Sequence, residues 1–306
     1  GLFAILFGLP LIEGNIANSE NFMLFPIILS SLLVFLSLKE ESGNRRNTIL
    51  FLSGFVLSLA FLIKIVAIFD LLAFFVFLTI FNFRSFGRLW LNRIYFILVG
   101  FSVPVFITSL YFLITDNFRN FLNASLFSNI SYVERDNSIF FAQDLLIAKA
   151  ALLFFFVYAI FKKRGLLNKA SIFILVWFAF SLFNAFFSHR PYIHYLLVLL
   201  PSFCLFIGLL FWDKKLRDIL TVSLIFIVVI LLSNFPLFYK TAWYYQNFWN
   251  FLSGKKSNIE YMSFFDKRAV IDYKIANYIN AKTNREDSIY IWGNNAQVYK
   301  MTEKIP

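Results

Sequence analysis

The amino-acid sequence predicts an all-α polytopic membrane protein, a multi-helix transmembrane bundle followed by the start of a small α/β domain. Three observations predict the bundle. Hydrophobic residues make up 60% of the 306 residues and charged residues only 15%, where a soluble domain carries about 25% charged. The apolar residues fall in runs close to the length that spans a bilayer. The basic residues gather in every second break between those runs, the pattern of a multi-pass chain. One soluble core of this length has no room for so many large apolar side chains. The same composition excludes disorder. The single cysteine, Cys204, lies in an apolar run, which excludes an intrachain disulfide and a Cys-based metal site.

The elements follow in order. The chain opens at Gly1 on GLFAILFGLPLI. A spanning helix needs about 20 residues, so this run reads as a partial span of a longer protein. Further spans are expected at 23–38, 49–63, 66–81, 94–114, 145–161, 170–187, 193–211 and 219–237, about nine in all with the partial first. The block 49–81 is apolar throughout except for Lys64 and Asp70. As one straight helix it would reach about 50 Å, against a hydrocarbon core of about 30 Å. A hairpin that turns near Lys64 solves this.

Charge parity supports the hairpin. The alternate breaks hold Lys39, Arg45, Arg46, Arg84, Arg88, Arg93, Lys162, Lys163, Arg164, Lys169, Lys214, Lys215 and Arg217, while the opposite short breaks hold Lys64 and Arg190. The first set is expected on the cytoplasmic side. A single crossing of 49–81 would swap the sides of every later loop. Much of the net charge of +11 is therefore read as topology and attraction to membrane lipids, with no nucleic-acid partner.

Two segments on the opposite, external side are longer. Residues 115–144 mix aromatics with Asn, Asp, Glu and Arg, and a helix lying in the interface is expected there. The domain boundary falls at 237: a transmembrane domain over 1–237, then an external soluble domain starting at 238–306. In that tail Ile271, Ile275, Ala276 and Ile279 stand at helical spacing. DSIYIWG, 287–293, reads as a strand ending at a Gly break. The end at Pro306 closes no element and reads as a second truncation.

Polar residues are expensive in such a chain, and the candidate site lies where they cluster externally. The first group is EGNIANSENF, 13–22, with Glu13, Asn18 and Glu20 between two spans. A carboxylate there, Glu20 before Glu13, suits a base, a metal ligand or a hydroxyl anchor. The second is Lys64, at the proposed turn, with Asp70 as its candidate partner; an ammonium at a membrane boundary meets a phosphate as a point charge. The third is SHRPYIHY, 188–195, which holds both histidines of the chain, His189 and His194, with Arg190, Tyr192 and Tyr195. Arg binds phosphate through two parallel bonds, and His transfers a proton near neutral pH. Two histidines alone are a weak zinc signal. The sequence contains no P-loop, GxGxxG, HExxH or GxSxG, so nothing in it supports an ATP-driven pump.

Four stretches carry a family resemblance: GNIANSENFMLFP at 14–26, GFVLSLAFLIKIVAIFDLL at 54–72, SHRPYIHYLLVLLPSF at 188–203 and DSIYIWGNNAQVYKMTEKIP at 287–306. The chain resembles lipid-linked-sugar glycosyltransferases of the GT-C fold, of the protein mannosyltransferase and aminoarabinose transferase type (glycosyltransferase family 39-like). The resemblance implies transfer of a sugar from a polyprenyl-phosphate donor to a lipid, glycan or protein acceptor on the external face of a plasma membrane, in a bacterium by the look of the group. It implies that Lys64 and the Arg190/His194 region face the donor phosphate and that Glu20 lies near the sugar or acceptor; the residues themselves add Asn18, His189 and Tyr192 as substrate-binding candidates and Glu20 as the catalytic candidate. The family's principal catalytic Asp sits in the first external loop, so the general base is expected upstream of residue 1. The sugar, the acceptor, any cofactor and any metal requirement stay open. Two other readings compete. A polysaccharide polymerase or ligase shares the substrate but not the fold. A flippase or transporter predicts ionisable groups near mid-membrane and broken helices in paired repeats.

Overall fold

Among the described residues four helices are long and apolar enough to cross a membrane: Ser19–Ser37, Gly43–Ile63, Leu89–Ile114 and Ile193–Trp212. The computed structural model describes residues 1–82, 87–128, 142–187, 192–212, 217–218, 221–222, 224–225, 228, 237–293 and 295–305. The chain divides into two units, Gly1–Phe235 and Pro236–Pro306.

In the first unit α1 is Leu2–Phe7, α2 Ser19–Ser37, α3 Gly43–Ile63, α4 Ile68–Phe81 and α5 Arg88–Ile114. Then come α6, Phe118–Leu122, a π-turn over Asn123–Phe127, α7, Ala142–Lys163, and α8, Lys169–Ala185. A 3₁₀ stretch, Ile193–Leu199, runs into α9, Leu200–Trp212. The stretches Ile65–Phe81 and Lys169–Ala185 are apolar but shorter than the four long helices. Most of the span expected over 219–237 lies outside the described residues, as do 129–141 of the expected interfacial segment. Several helices begin before their apolar run does. Glu20 therefore stands in the first turn of α2, Arg45 and Arg46 in α3, and Arg88 and Arg93 in α5. Backbone hydrogen bonding continues past the apolar boundary, because a helix satisfies its own amides wherever it goes.

The chain reverses at Lys64. α3 ends at Ile63, Lys64 is extended at φ −153° and ψ 125°, and a 3₁₀ turn over Ile65–Ala67 opens α4. Near the start of α3, Asn47 accepts a 3.0 Å hydrogen bond from Asn92 of α5. The end of α4 reaches the same place, where the Arg93 guanidinium lies over the Phe81 ring. So α3 and α5 run parallel and α4 runs back between their ends. The bundle has a Lys64 end and an Arg93 end.

With no solvent drive between helices in lipid, small and hydroxyl residues hold such bundles. At the crossing of α3 and α5, a Cβ on Gly54 would collide with the carbonyl oxygen of Ile97, and one on Gly100 with that of Phe51. Between α2 and α3, Ser30 and Ser53 are buried and exchange bonds: each hydroxyl donates to the other's carbonyl, at 2.8 and 3.0 Å. Between α4 and α8, Phe77 meets Phe173 edge-on, and Phe69 packs against Phe183 and Phe187.

The second unit is helical over its described residues. It contains α10, Leu237–Leu252, α11, Asn258–Ser263, α12, Lys267–Lys282, and α13, Gln297–Thr302. No strand forms among the described residues of the chain, which corrects the α/β expectation. Residues 287–292 take no regular secondary structure and carry one backbone bond to a distant segment, Ile289 N–H to the Ile305 carbonyl. A strand is stable only with a partner ladder. The helix expected before it forms as α12, with a different face inward. Ile271 and Ile275 are exposed, while Asp272 and Ala276 are buried. Asp272 turns that face toward α13, because its carboxylate accepts from Asn295 and Gln297 at 3.0 and 2.6 Å.

Candidate functional site

The polar residues of the Lys64 end come from three separate stretches. Residues 13–21 form a tight loop before and into α2. Asn21 staples it, its amide donating to the carbonyls of Glu13, Gly14 and Ile16. Glu13 sits at φ 61°, in the left-handed region, where a non-Gly residue costs energy unless its surroundings hold it. A Cβ on Gly14 would strike the Phe7 carbonyl, so α1 and this loop can meet only with glycine there. Ile12, Leu24, Leu197 and Leu200 form a small buried cluster, with Phe3, Leu6, Phe7 and Leu9 packed on it. That cluster seats the loop against the third stretch, 192–200.

Two pairs result, one between a carboxylate and an ammonium and one between a carboxylate and an imidazole. Glu20, only 2% exposed, pairs with the Lys64 ammonium. Glu13 Oε2 lies 2.9 Å from His194 Nδ1. A carboxylate only accepts, so an ionised Glu13 assigns the proton to Nδ1 and leaves His194 Nε2 as the free ring nitrogen. Asn18 donates to the same Glu13 oxygen at 3.2 Å, which fixes the carboxylate from a second side. Tyr195 joins the pairs: the Lys64 ammonium is 4.5 Å from its ring centre, and the His194 ring meets it edge-on at 4.9 Å. Tyr192 stacks on His194 at 5.3 Å. A partly buried ammonium, two carboxylates and an oriented imidazole thus share one aromatic-lined corner.

The structure brings together Asn18, Glu20, Lys64, Tyr192 and His194 of the residues expected from sequence. His189 and Arg190 lie outside the described residues. Asp70 is not the partner of Lys64: it is buried in α4 and accepts a 2.8 Å bond from Trp177 Nε1 of α8. Glu20 takes that place across 44 positions of sequence, a separation that no local pattern announces. Glu13 holds the more chemically suggestive position of the two acids, though its place nearer α1 argued for the lesser role. Among the described residues no group of three or more His, Cys, Asp or Glu side chains comes together to hold a metal ion. No family model matches the chain, and neither a curated protein nor a solved structure matches it.

Proposed function

We propose that the protein is a membrane glycosyltransferase that moves a sugar from a polyprenyl-phosphate donor to an acceptor hydroxyl at the external face. The observation that carries the reading is the convergence of the Glu13–His194 and Glu20–Lys64 pairs at one end of the bundle. A base and a phosphate-facing cation are what such a transfer needs within one corner. In the proposed step the acceptor O–H gives its proton to His194 Nε2, and its oxygen bonds to the anomeric carbon. The bond from that carbon to the donor phosphate oxygen breaks, and the phosphate leaves with the electron pair. Glu13 holds the imidazole and stabilises the imidazolium that forms. Lys64 offsets charge on the departing phosphate, and Glu20, buried against it, keeps the ammonium in place. In this reading Glu20 positions Lys64, a narrower role than the catalytic one expected from sequence. The resemblance adds the Arg190 region as a further expected contact of the donor phosphate.

The charge-derived orientation supports the external location. Cysteines at Asn44, Gly87 and Gly165 should resist an impermeant thiol reagent added outside, and one at Asn18 should react; labelling at Gly87 reverses the orientation. The activity test is sugar transfer from purified polyprenyl-phosphate donor by the full-length protein in detergent. His194→Gln should lower turnover about 10²- to 10⁴-fold with donor binding retained. Arg190→Ala should weaken both, and Arg190→Lys should recover part. Wild-type turnover in His194→Gln would remove the imidazole from the reaction.

A further inference from the structure

The Arg93 end carries cations of a different kind. Arg46 in α3 and Arg93 in α5 interact electrostatically as like charges. Arg93 lies over the Phe81 ring at 5.6 Å, and the Lys169 ammonium of α8 lies over the same ring at 5.1 Å. Phe81 is itself held, stacked on Phe77. Arg46 Nε, Arg93 Nε and Arg93 Nη1 are buried from solvent and have no hydrogen-bond partner. Among the described residues no carboxylate pairs with Arg46, Arg93 or Lys169; the nearby Glu40 goes to Arg45 and to the Ser42 amide.

Arginine at a membrane edge ordinarily extends its head into water. Here three of those nitrogens, Arg46 Nε, Arg93 Nε and Arg93 Nη1, reach neither water nor an acceptor among the described residues, and a guanidinium cannot shed its charge. Buried charges are costly unless paired. The backbone adds to the deficit. The N-termini of α3, α5 and α8 open at this end, and none of their first turns contains an acidic residue. Helix N-termini carry partial positive charge and favour an anion. One aromatic face is a weak counter-charge for two cations.

We propose that Arg93 and Lys169, both over Phe81, together with Arg46, the electrostatic neighbour of Arg93, form a phosphate-binding site that holds the headgroup of an anionic phospholipid. Guanidinium donors match phosphate oxygens in geometry and charge. The setting favours a lipid source over free phosphate. Leu89 lies one turn before Arg93 on the same side of α5 and is 55% exposed, so an acyl chain has apolar surface directly beside the headgroup. Basic pockets between transmembrane helices suit such headgroups on general electrostatic grounds. The site is separate from the Lys64 end and does not depend on glycosyl transfer.

The test titrates the purified full chain in neutral detergent with phosphatidylglycerol, phosphatidylcholine or inorganic phosphate, and follows native mass spectra and the thermal midpoint. Phosphatidylglycerol should bind and raise the midpoint, and phosphatidylcholine should not. Arg93→Gln and Arg46→Gln should each weaken phosphatidylglycerol binding about tenfold or more, the loss of a charge-assisted contact. Arg45→Gln, whose side chain is exposed and already pairs with Glu40, should keep it. Inorganic phosphate that competes for Arg46 and Arg93 would support the phosphate chemistry; if it reproduces the full shift alone, the lipid source is wrong. Equal response to both lipids, or an equal loss in Arg45→Gln, overturns the site in favour of diffuse surface charge. If Arg93→Gln does not fold, the two-lipid comparison on the wild type and Lys169→Gln decide the matter.

Discussion

The two ends of the bundle treat charge in opposite ways. At the Lys64 end the chain supplies its own counter-ions: Glu20 for Lys64 and Glu13 for His194. At the Arg93 end, two cations, Arg93 and Lys169, share one phenyl ring and Arg46 adds a like charge to Arg93, with no acid of the described chain among them. An internally paired charge is a precise fixture, costly to break because its partner is left buried and alone. Cations without a partner in the chain are an open valence, and their energetics depend on what the surroundings provide. The first end holds its groups in fixed positions. The second is built to respond to the anions around it.

The largest expected effect breaks the first end. Lys64→Met leaves Glu20 buried and unpaired, and should cost about 3–5 kcal/mol of stability, read as a lowered midpoint of thermal unfolding in detergent. Adding Glu20→Gln removes the orphaned charge, so the double variant should regain most of the loss. A double variant as unstable as Lys64→Met would show that the ammonium matters through packing on Tyr195 and not through Glu20.

A smaller loss is expected where a neutral donor meets a buried acid. Trp177→Phe removes the indole N–H that donates to Asp70 while keeping an aromatic ring between α4 and α8. One unsatisfied buried acceptor should cost about 1–3 kcal/mol. Unfolding of this variant should stay single-phased, since the Phe69–Phe183 and Phe77–Phe173 contacts survive. An unchanged midpoint would mean that water or another donor replaces the indole.

These two experiments also mark what was legible in the sequence. Helicity was, because apolar runs with few charges leave a backbone in lipid only helices or closed barrels. The reversal at Lys64 was, because alternate loops carry the basic residues and length forbids one straight crossing. The pairing was not. Lys64 had Asp70 six positions away and Glu20 forty-four away, and proximity in sequence favoured the wrong acid. Which acid faces Lys64 depends on the pitch of α2 against α3, set by the Ser30–Ser53 exchange deep in the bundle. Trp177 as a partner for Asp70 was invisible for the same reason, as was the inward face of α12. There the hydrophobic period pointed to Ile271 and Ile275, and a polar network around Asp272 outweighed it. The strand over 287–293 failed in another way: its residues are strand formers, but a strand is a property of two segments.

At the Arg93 end the expected effect in neutral detergent is near zero. Arg93→Gln loses a contact with the Phe81 ring and relieves repulsion from Arg46, and these offset to within about 1 kcal/mol. The contrast with Lys64→Met is the direct measure of the difference between the ends. A loss as large as that of Lys64→Met would mean that Arg93 has a partner inside the chain and that the two ends are alike.

The smallest effect concerns a carboxylate with partners in full contact with water. In the second unit, Ser257 caps α11 by a reciprocal arrangement with Glu260. The Ser257 amide and then its hydroxyl donate to the Glu260 carboxylate and hold its pKa below the ordinary glutamate value. A lowered folded-state pKa gives a contribution that is complete above the unfolded value, about 4.3, and is lost as pH falls through the folded value. The first turn of α11 should therefore fray in acid, below about pH 4.3, and nowhere in the neutral range. Amide exchange at 257–261, followed as the full chain is acidified, reads this directly. Glu260→Gln keeps an acceptor for the Ser257 amide but removes the titration, so its exchange should be flat with pH. Acid fraying that persists in Glu260→Gln would assign the effect to Asp266, which caps α12 and whose pKa is also held low, chiefly by the Arg268 side chain. Exchange in the wild type that ignores acid would mean that the hydroxyl-to-amide half of the cap suffices. Either way the exposed carboxylate should respond by degrees to pH, where the buried Glu20 responds to the loss of its ammonium partner.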